Sequence, residues 1–352
     1  MFPVTPFYIC AFRILITNIF VHMKLGVIGS GSWGTALVKV LNDNGCRVTW
    51  CVRSERMATH IRERHHNPKY LSSVYFSDTL LDVVSNPTDV YEQADAVLIA
   101  VPSAYVDEYT TPYLDTIAKG KVIISATKGI LPQHNLLLNH HLKENIDFDL
   151  GNYITIMGPC HAEEIAAERL SYLTFAGTNE MLVKQVTSYF STPYINTVIS
   201  NDVDGVQYAA VLKNVYAIGT GIAHGLGYGD NFQSVFVANA AHEMRKFLRA
   251  ANTTKEKVNY SASVYLGDLL VTCYSLFSRN RSFGNMIGKG YSVEAAKLAM
   301  QMVAEGYPAA KSIHELSISC AAHTPIVSGI YDILWEKKDP ATVFAELEKG
   351  LV

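Results

Sequence analysis

Lys213 sits in the apolar run "AAVLKNVYAIGTGIAHGLGYGDN" (209–231), flanked by Val211, Leu212, Val215 and Ile218. An unpaired ammonium in such surroundings is expensive, so a lysine there is paired, neutral or badly placed. A second misplaced charge, Asp268 in "YLGDLLVTC", is its natural partner. One reading is a buried ion pair that ties two helices together, although desolvation can exceed its Coulomb gain. Perturbed ionisable groups cluster where chemistry occurs, so proton transfer by Lys213 is the preferred reading. Asn214, next to it, can hydrogen-bond a substrate oxygen or the lysine itself.

Further donors follow. "SRNR" (278–281) sets Ser278, Arg279, Asn280 and Arg281 side by side. That is a compact set for a phosphate or carboxylate, with a helix-surface charge cluster as the alternative. Lys128 in "SATKGI" ends an apolar run, a substrate-facing place in a doubly wound sheet. "MGPCHAEEIA" (157–166) repeats the arrangement: a strand, a Gly158–Pro159 turn, then a helix start with free N–H groups. Glu305, before Gly306, reads either as a helix C-terminal residue or as a cofactor contact. His161, His224 and His314 lack metal-ligand spacing, so no metal site is read. No GxSxG or Cys–His signature argues for nucleophilic catalysis.

Gly29-Ser30-Gly31-Ser32-Trp33-Gly34 follows the apolar "KLGVIG" and opens a helical pattern. Gly29 permits a tight turn, Gly31 lets backbone approach a pyrophosphate, and Gly34 allows close helix–strand packing. The second strand ends "CVRSERM", with Arg53 where NAD sites usually carry an acid, and Arg56 nearby. Arginine pairs bidentately with a 2′-phosphate, so NADP(H) is preferred and NAD(H) is kept as the alternative. Arg53 as a solvated loop charge is the competing reading.

The elements that must hold these groups are legible as periodicity. "KLGVIG", "RVTWCVR", "ADAVLIAVPS", "KVIISATKG", "YITIMGP" and "YLTFAGT" read as buried strands, and helical patterns separate several of them. That alternation predicts a parallel, doubly wound α/β sheet over 24–203. From 204 to 352 the strand signal fades. "VQYAAVLKNVYAIGTGIAHG", "QSVFVANAAHEMRKFLRAAN", "SVEAAKLAMQMVAEG" and "VSGIYDILWEKK" read as helices of a second domain. The chain has 352 residues, 49% of them hydrophobic, enough for two packed domains. A net charge of −3 without a basic run argues against general nucleic-acid binding. The six cysteines form no CxxC pair, which favours a reduced, cytoplasmic protein. The first 22 residues are apolar with only Arg13 charged. A dispensable extension is the expectation, ahead of a surface-packing segment or a membrane anchor.

The blocks "GVIGSGSWGTALVKVL", "ATKGI", "GPCHAEEIA", "LKNVYAIGTGIAHGLGYGDN", "GDLLVTCYSLFSRNRSFG" and "VAEGYPAAKSIHEL" resemble the bacterial NAD(P)-dependent glycerol-3-phosphate dehydrogenase family. The similarity runs from about Lys24 to the C-terminus. It implies a Rossmann domain followed by a helical domain, and interconversion of sn-glycerol 3-phosphate and dihydroxyacetone phosphate for glycerophospholipid synthesis. By the resemblance, Lys213 is the proton acceptor. Substrate contacts would be Lys128, Gly158, Cys160, Asn214, Asp268, Thr272, Ser278, Arg279 and Asn280. Cofactor contacts would be Ser32, Trp33, Arg53, Lys128, Ala162, Arg279, Val303 and Glu305. Three departures stand out: Cys160 replaces the family's usual Ser or Thr, "FVANAAHEM" lacks its Thr-Arg-Gly step, and the apolar extension before Met23 is not part of the family pattern. A homodimer is compatible with the resemblance. Two rivals remain: another dehydrogenase of this architecture, and a nucleotide-sensing protein without turnover, which has no use for Lys213, Asp268 and "SRNR" together.

Overall fold

The computed structural model describes residues 22–251, 258–300 and 304–352. The apolar stretch at 1–21 and Val303 lie outside the described residues, so those two expectations receive no structural account. Eight strands form one sheet: β1 (Leu25–Ile28), β2 (Val48–Cys51), β3 (Leu81–Val84), β4 (Ala96–Ile99), β5 (Val122–Ser125), β6 (Tyr153–Met157), β7 (Ser171–Ala176) and β8 (Ile195–Ser200). Their order is β3-β2-β1-β4-β5-β6-β7-β8. β1, β4 and β5 are buried at every position, as strands covered on both faces must be. Successive residues face opposite ways, so Val27 and Leu98 join one core while Ile28, Val97 and Ile99 join the other.

β1 to β6 pair in parallel. β7 does not follow the expected all-parallel pattern: it runs antiparallel to β6, with Met157 opposite Thr174, and β8 then pairs with β7 in parallel. The link from β6 carries only the short helix Ala162–Ala166, too little for a crossover along the sheet. At its start Gly158 takes φ +129° and lies against β7, where a Cβ would come within 2.6 Å of the Tyr172 carbonyl oxygen. β3 and β8 were not among the strands read from the sequence. Both are edge strands and partly exposed, so neither needs the continuous apolar run that marks a central strand.

Helix Val203–Gly225 is buried almost throughout and forms the centre of the helical half. It packs backbone to backbone on helix Arg279–Gly288. A Cβ on Gly221 would lie 2.1 Å from the Arg281 carbonyl oxygen, and one on Gly284 would lie 2.0 Å from that of Ile218. Only glycine allows this approach, which brings the "SRNR" block beside Lys213 and Asn214. The helical pattern expected across 292–306 ends at Ala299, where Met300 turns to extended backbone, and a new helix starts at Gly306. Among the described residues no helix is long and apolar enough to cross a membrane.

Candidate active site

The carboxyl ends of β1, β2, β4, β5 and β6 open onto one cleft of about 600 Å3, closed on its far side by the helical half. That edge is where open α/β sheets bind ligands, and the strand order reverses between β1 and β4 directly beneath it. The volume falls in the usual range for ligand pockets, about 300–1,000 Å3.

The glycine-rich turn forms one wall. Gly29 takes φ +122° with its Cα against the Ala100 carbonyl, and a Cβ on Gly34 would lie 2.3 Å from the Gly29 oxygen. Gly34 therefore sits under the turn and allows the helix–strand contact without lining the cleft. A Cβ on Gly31 would meet nothing within 4 Å, so the space above it is open. Helix Ser32–Asp43 starts at Gly31 without a side-chain cap, leaving its first N–H groups aimed at that space. Ser30 accepts from the Arg53 backbone N–H at 3.2 Å and so ties the turn to the end of β2. Arg53 is exposed at the cleft, at the end of β2 where NAD sites usually carry an acid. Glu55, two residues along the chain, is held by Arg62 at 2.5 Å and Ser85 at 2.6 Å. Open backbone and a free helix start form a donor set that fits a dinucleotide pyrophosphate.

Reading the sequence missed one support of this wall. Asn67 is fully buried and uses both ends of its amide. Its Nδ2 donates to the Ser30 carbonyl at 3.0 Å and to Thr35 Oγ1 at 2.9 Å, and its Oδ1 accepts from the N–H groups of Lys69 and Tyr70. Lys69 and Tyr70 consequently face the cleft. An isolated "HNPKY" gives no periodic signal that could have revealed this. Tyr105, Tyr109, His161 and Phe277 are further cleft residues that were not singled out as cleft walls.

Deeper in, Lys213 Nζ donates to Asp268 Oδ1, with both side chains almost wholly buried. One turn of π-helix, Ser263–Gly267, precedes helix Asp268–Tyr274 and sets the register that presents Asp268. Thr272 Oγ1 back-bonds to the Asp268 carbonyl at 2.6 Å, while Asp268 Oδ2 has no hydrogen-bond partner. Lys128 Nζ lies 4.5 Å over the Trp33 ring and 3.9 Å from Cys160 Sγ. The Cys160 thiol donates to the Gly158 carbonyl at 3.0 Å. Asn214 Nδ2 reaches the Lys128 carbonyl at 3.4 Å, Asn280 Nδ2 donates to Asn214 Oδ1 at 2.9 Å, and Asn280 Oδ1 accepts from the Gly306 N–H at 2.9 Å. This chain of amides locks both halves of the molecule around the lysines. Ser278 caps helix Arg279–Gly288 through Arg281 N, so the first N–H groups of that helix and the exposed Arg279 point into the cleft.

The two lysines are driven in opposite directions. Burial lowers Lys213 below the ordinary lysine value, and the Lys128 cation adds to the effect against the pull of Asp268. Burial also acts downward on Lys128, but Cys160, Asp268 and Glu305 outweigh it and hold Lys128 above the ordinary value. Burial pushes the Cys160 thiol up, against the pull of the Lys128 and Lys213 cations. Burial raises Glu305 to about 7, against the three nearby cations. Groups whose environments separate their titrations in this way mark acid–base sites.

Lys128, Cys160, Lys213, Asn214, Asp268, Thr272, Ser278, Arg279 and Asn280 all line the cleft, as do Gly29, Gly31, Ser32, Trp33, Arg53, Ala162 and Glu305. Gly34 and Gly158 do not. Gly158 instead shapes the turn that presents Cys160 and Ala162.

A reversing parallel sheet with an open glycine turn, facing a buried lysine from a helical half, defines an NAD(P)-dependent dehydrogenase of two-part architecture. Comparison with known proteins narrows the class. Residues 24–183 match the family model described as NAD-dependent glycerol-3-phosphate dehydrogenase N-terminus, and residues 202–345 match the corresponding C-terminus. Glycerol-3-phosphate dehydrogenase [NAD(P)+] of Lactiplantibacillus plantarum is 33% identical over 328 residues, spanning 92% of this chain and 96% of the relative. The same enzyme of Oceanobacillus iheyensis is 33% identical over 92% of this chain and 93% of the relative. The crystal structure of glycerol-3-phosphate dehydrogenase from Coxiella burnetii superposes with a TM-score of 0.84 at 27% identity, covering 92% of this chain and 98% of that one. The chain belongs to the NAD(P)-dependent glycerol-3-phosphate dehydrogenase family of oxidoreductases.

Proposed function

We propose that the family's reaction runs here with Lys213 as the proton acceptor, Lys128 as a fixed cation beside the reacting oxygen, and NADP(H) as the favoured cofactor. The observation that carries the assignment is the buried Lys213–Asp268 pair at the floor of the cleft, lowered by burial and by Lys128. Oxidation of sn-glycerol 3-phosphate at C2 removes a hydride and a hydroxyl proton, and yields dihydroxyacetone phosphate. Bound NAD(P)+ supplies the acceptor for the hydride. Lys213 Nζ, in its neutral form, takes the proton, and in the reverse direction its ammonium returns it. Asp268 orients Nζ, and the Lys128 ammonium stabilises negative charge developing on the C2 oxygen. Arg279 and the first turn of helix Arg279–Gly288 suit the substrate phosphate, whose binding energy positions C2.

Gly29, Gly31, Ser32 and Trp33 suit the dinucleotide pyrophosphate and its neighbourhood, and Arg53 suits a 2′-phosphate. Ala162 and Glu305 stand on the cleft wall towards the nicotinamide end in this reading. Trp33 holds Lys128 in place by a cation–π contact. In the reductive direction the sn-glycerol 3-phosphate formed serves glycerophospholipid synthesis. The test is a coupled assay that follows NADPH and NADH absorbance with dihydroxyacetone phosphate and a panel of other keto compounds. Turnover confined to dihydroxyacetone phosphate, with a lower KM for NADPH than for NADH, supports the reading. Preferential turnover of another keto compound rejects the substrate assignment, and a lower KM for NADH rejects the cofactor preference.

A further inference from the structure

We propose that Asp107, His134 and His141 form a site for a divalent transition-metal ion on the flank of the cofactor cleft. None of the three lines the cleft or takes part in the reaction described above. Asp107 lies in helix Val106–Thr110, directly beside Glu108 and Tyr109, which do line the cleft. His134 stands on the turn closed by the Leu131–Leu136 bridge, and His141 lies on helix Leu138–Ile146. One ligand atom from each residue falls within 4.8 Å of the other two.

The Asp107 carboxylate faces both imidazoles. Its Oδ2 is 3.1 Å from His134 Nε2, and its Oδ1 is 3.9 Å from His141 Nε2, beyond hydrogen-bond reach. Asp107 Oδ1 and His141 Nε2 are both buried and neither has a hydrogen-bond partner. A buried, unpartnered imidazole nitrogen turned towards an unpartnered carboxylate oxygen is costly as it stands. An ion placed between them satisfies both. Two imidazoles and one carboxylate, with water completing the shell, suit Zn2+ and its neighbours in the transition series. Ligand bonds of about 2.0–2.2 Å require the three atoms to close by a fraction of an ångström, and the half-exposed His134 can move that far.

Coordination through Nε2 puts the ring proton of His141 on Nδ1, which lies 3.3 Å from Asn145 Nδ2. Asn145 Nδ2 also donates to the His141 carbonyl at 2.8 Å, so the exposed amide must give up that bond for its oxygen to accept the ring proton. Leu131, Leu138 and Leu142, from the segments that carry the two histidines, are buried in one cluster with Val106, the neighbour of Asp107. An ion here ties the β4 side of the cleft wall to the segment that follows Lys128.

The test uses the full chain without a polyhistidine tag, dialysed against chelator and titrated with ZnCl2. The expected result is one tightly bound ion per chain and a raised Tm. His134→Gln and Asp107→Asn should remove both effects while leaving the metal-free Tm near the wild-type value. Loss of an outer-shell partner costs about 10–100-fold in metal affinity, so loss of a direct ligand should exceed about 100-fold. Co2+ in the same site should show ligand-field bands without a thiolate charge-transfer band. Failure of the wild type to retain Zn2+, equal binding by the two variants, or a thiolate band from the cysteines would each overturn the proposal.

Discussion

Replacing Lys213 by methionine tests the central assignment, provided that stability and turnover are read separately. Lys213 and Asp268 are 4% and 1% exposed, and Asp268 Oδ2 already lacks a partner. Removing the ammonium alone leaves a buried carboxylate with no nearby cation in hydrogen-bond contact. Breaking such a pair from one side costs about 3–5 kcal/mol, which would lower Tm markedly. The chemistry should suffer independently, because a general acid–base group contributes about 10²–10⁴-fold. The double variant Lys213→Met with Asp268→Leu separates the two effects. Replacing both members of a buried pair by apolar groups is often neutral or stabilising by about 1–4 kcal/mol. The double variant should therefore regain most of the lost Tm, bind NADPH normally by fluorescence titration, and remain at least ~10²-fold slower than wild type in the dihydroxyacetone phosphate assay. Recovery of turnover along with stability would refute the reasoning and reduce Lys213 to a structural residue. A single variant that turns over within tenfold of wild type would do the same.

With Lys213 as the proton acceptor, its lowered titration should make the oxidation of glycerol 3-phosphate rise with pH, through an apparent pKa below the ordinary lysine value of 10.5. The reductive direction should fall over the same interval. Asp268→Asn, which removes the group holding Lys213 up, should move the oxidative profile to lower pH; an unmoved profile assigns the titration to another group. Arg53→Ala should weaken NADPH binding more than NADH binding, by about 1.5–3 kcal/mol if its guanidinium meets the 2′-phosphate, and equal losses for the two cofactors would place Arg53 elsewhere. Gly34→Ala brings a methyl group to 2.3 Å from the Gly29 carbonyl oxygen, a backbone atom that cannot step aside without reshaping the turn. Cofactor affinity should drop sharply in a fluorescence titration, and unchanged affinity would show that the turn does not depend on that contact.

The general architecture and the polar residues around Lys213 in the cleft were legible before the fold was known. Strand and helix periodicity gave the α/β half and the helical half. A charged residue in an apolar helix marked Lys213 and Asp268 as a pair. The misses have physical causes. The edge strands β3 and β8 carry no fully buried run. The reversal of β7 depends on the length of the link after β6 and not on β7's own composition. The helix that stops at Ala299 continues an apolar pattern past its end. Asn67 is polar in a loop, and its importance lies wholly in four partners brought to it by folding.

Local sequence determined what local sterics and periodicity control. The spacing of Gly29, Gly31 and Gly34 dictates a turn that can approach a phosphate, and the apolar neighbours of Lys213 dictate that its charge is buried. Tertiary structure decided the contacts between groups far apart in the chain. Backbone-to-backbone packing at Gly221 and Gly284 carries Asn280 to Asn214. The π-turn before Asp268 delivers its carboxylate to Lys213. Trp33 holds Lys128 over the same cleft, where its cation helps to lower Lys213 while Cys160, Asp268 and Glu305 hold Lys128 itself up. Electrostatic coupling depends on separation in space and on burial, and both are set only when the sheet and the helices close on each other.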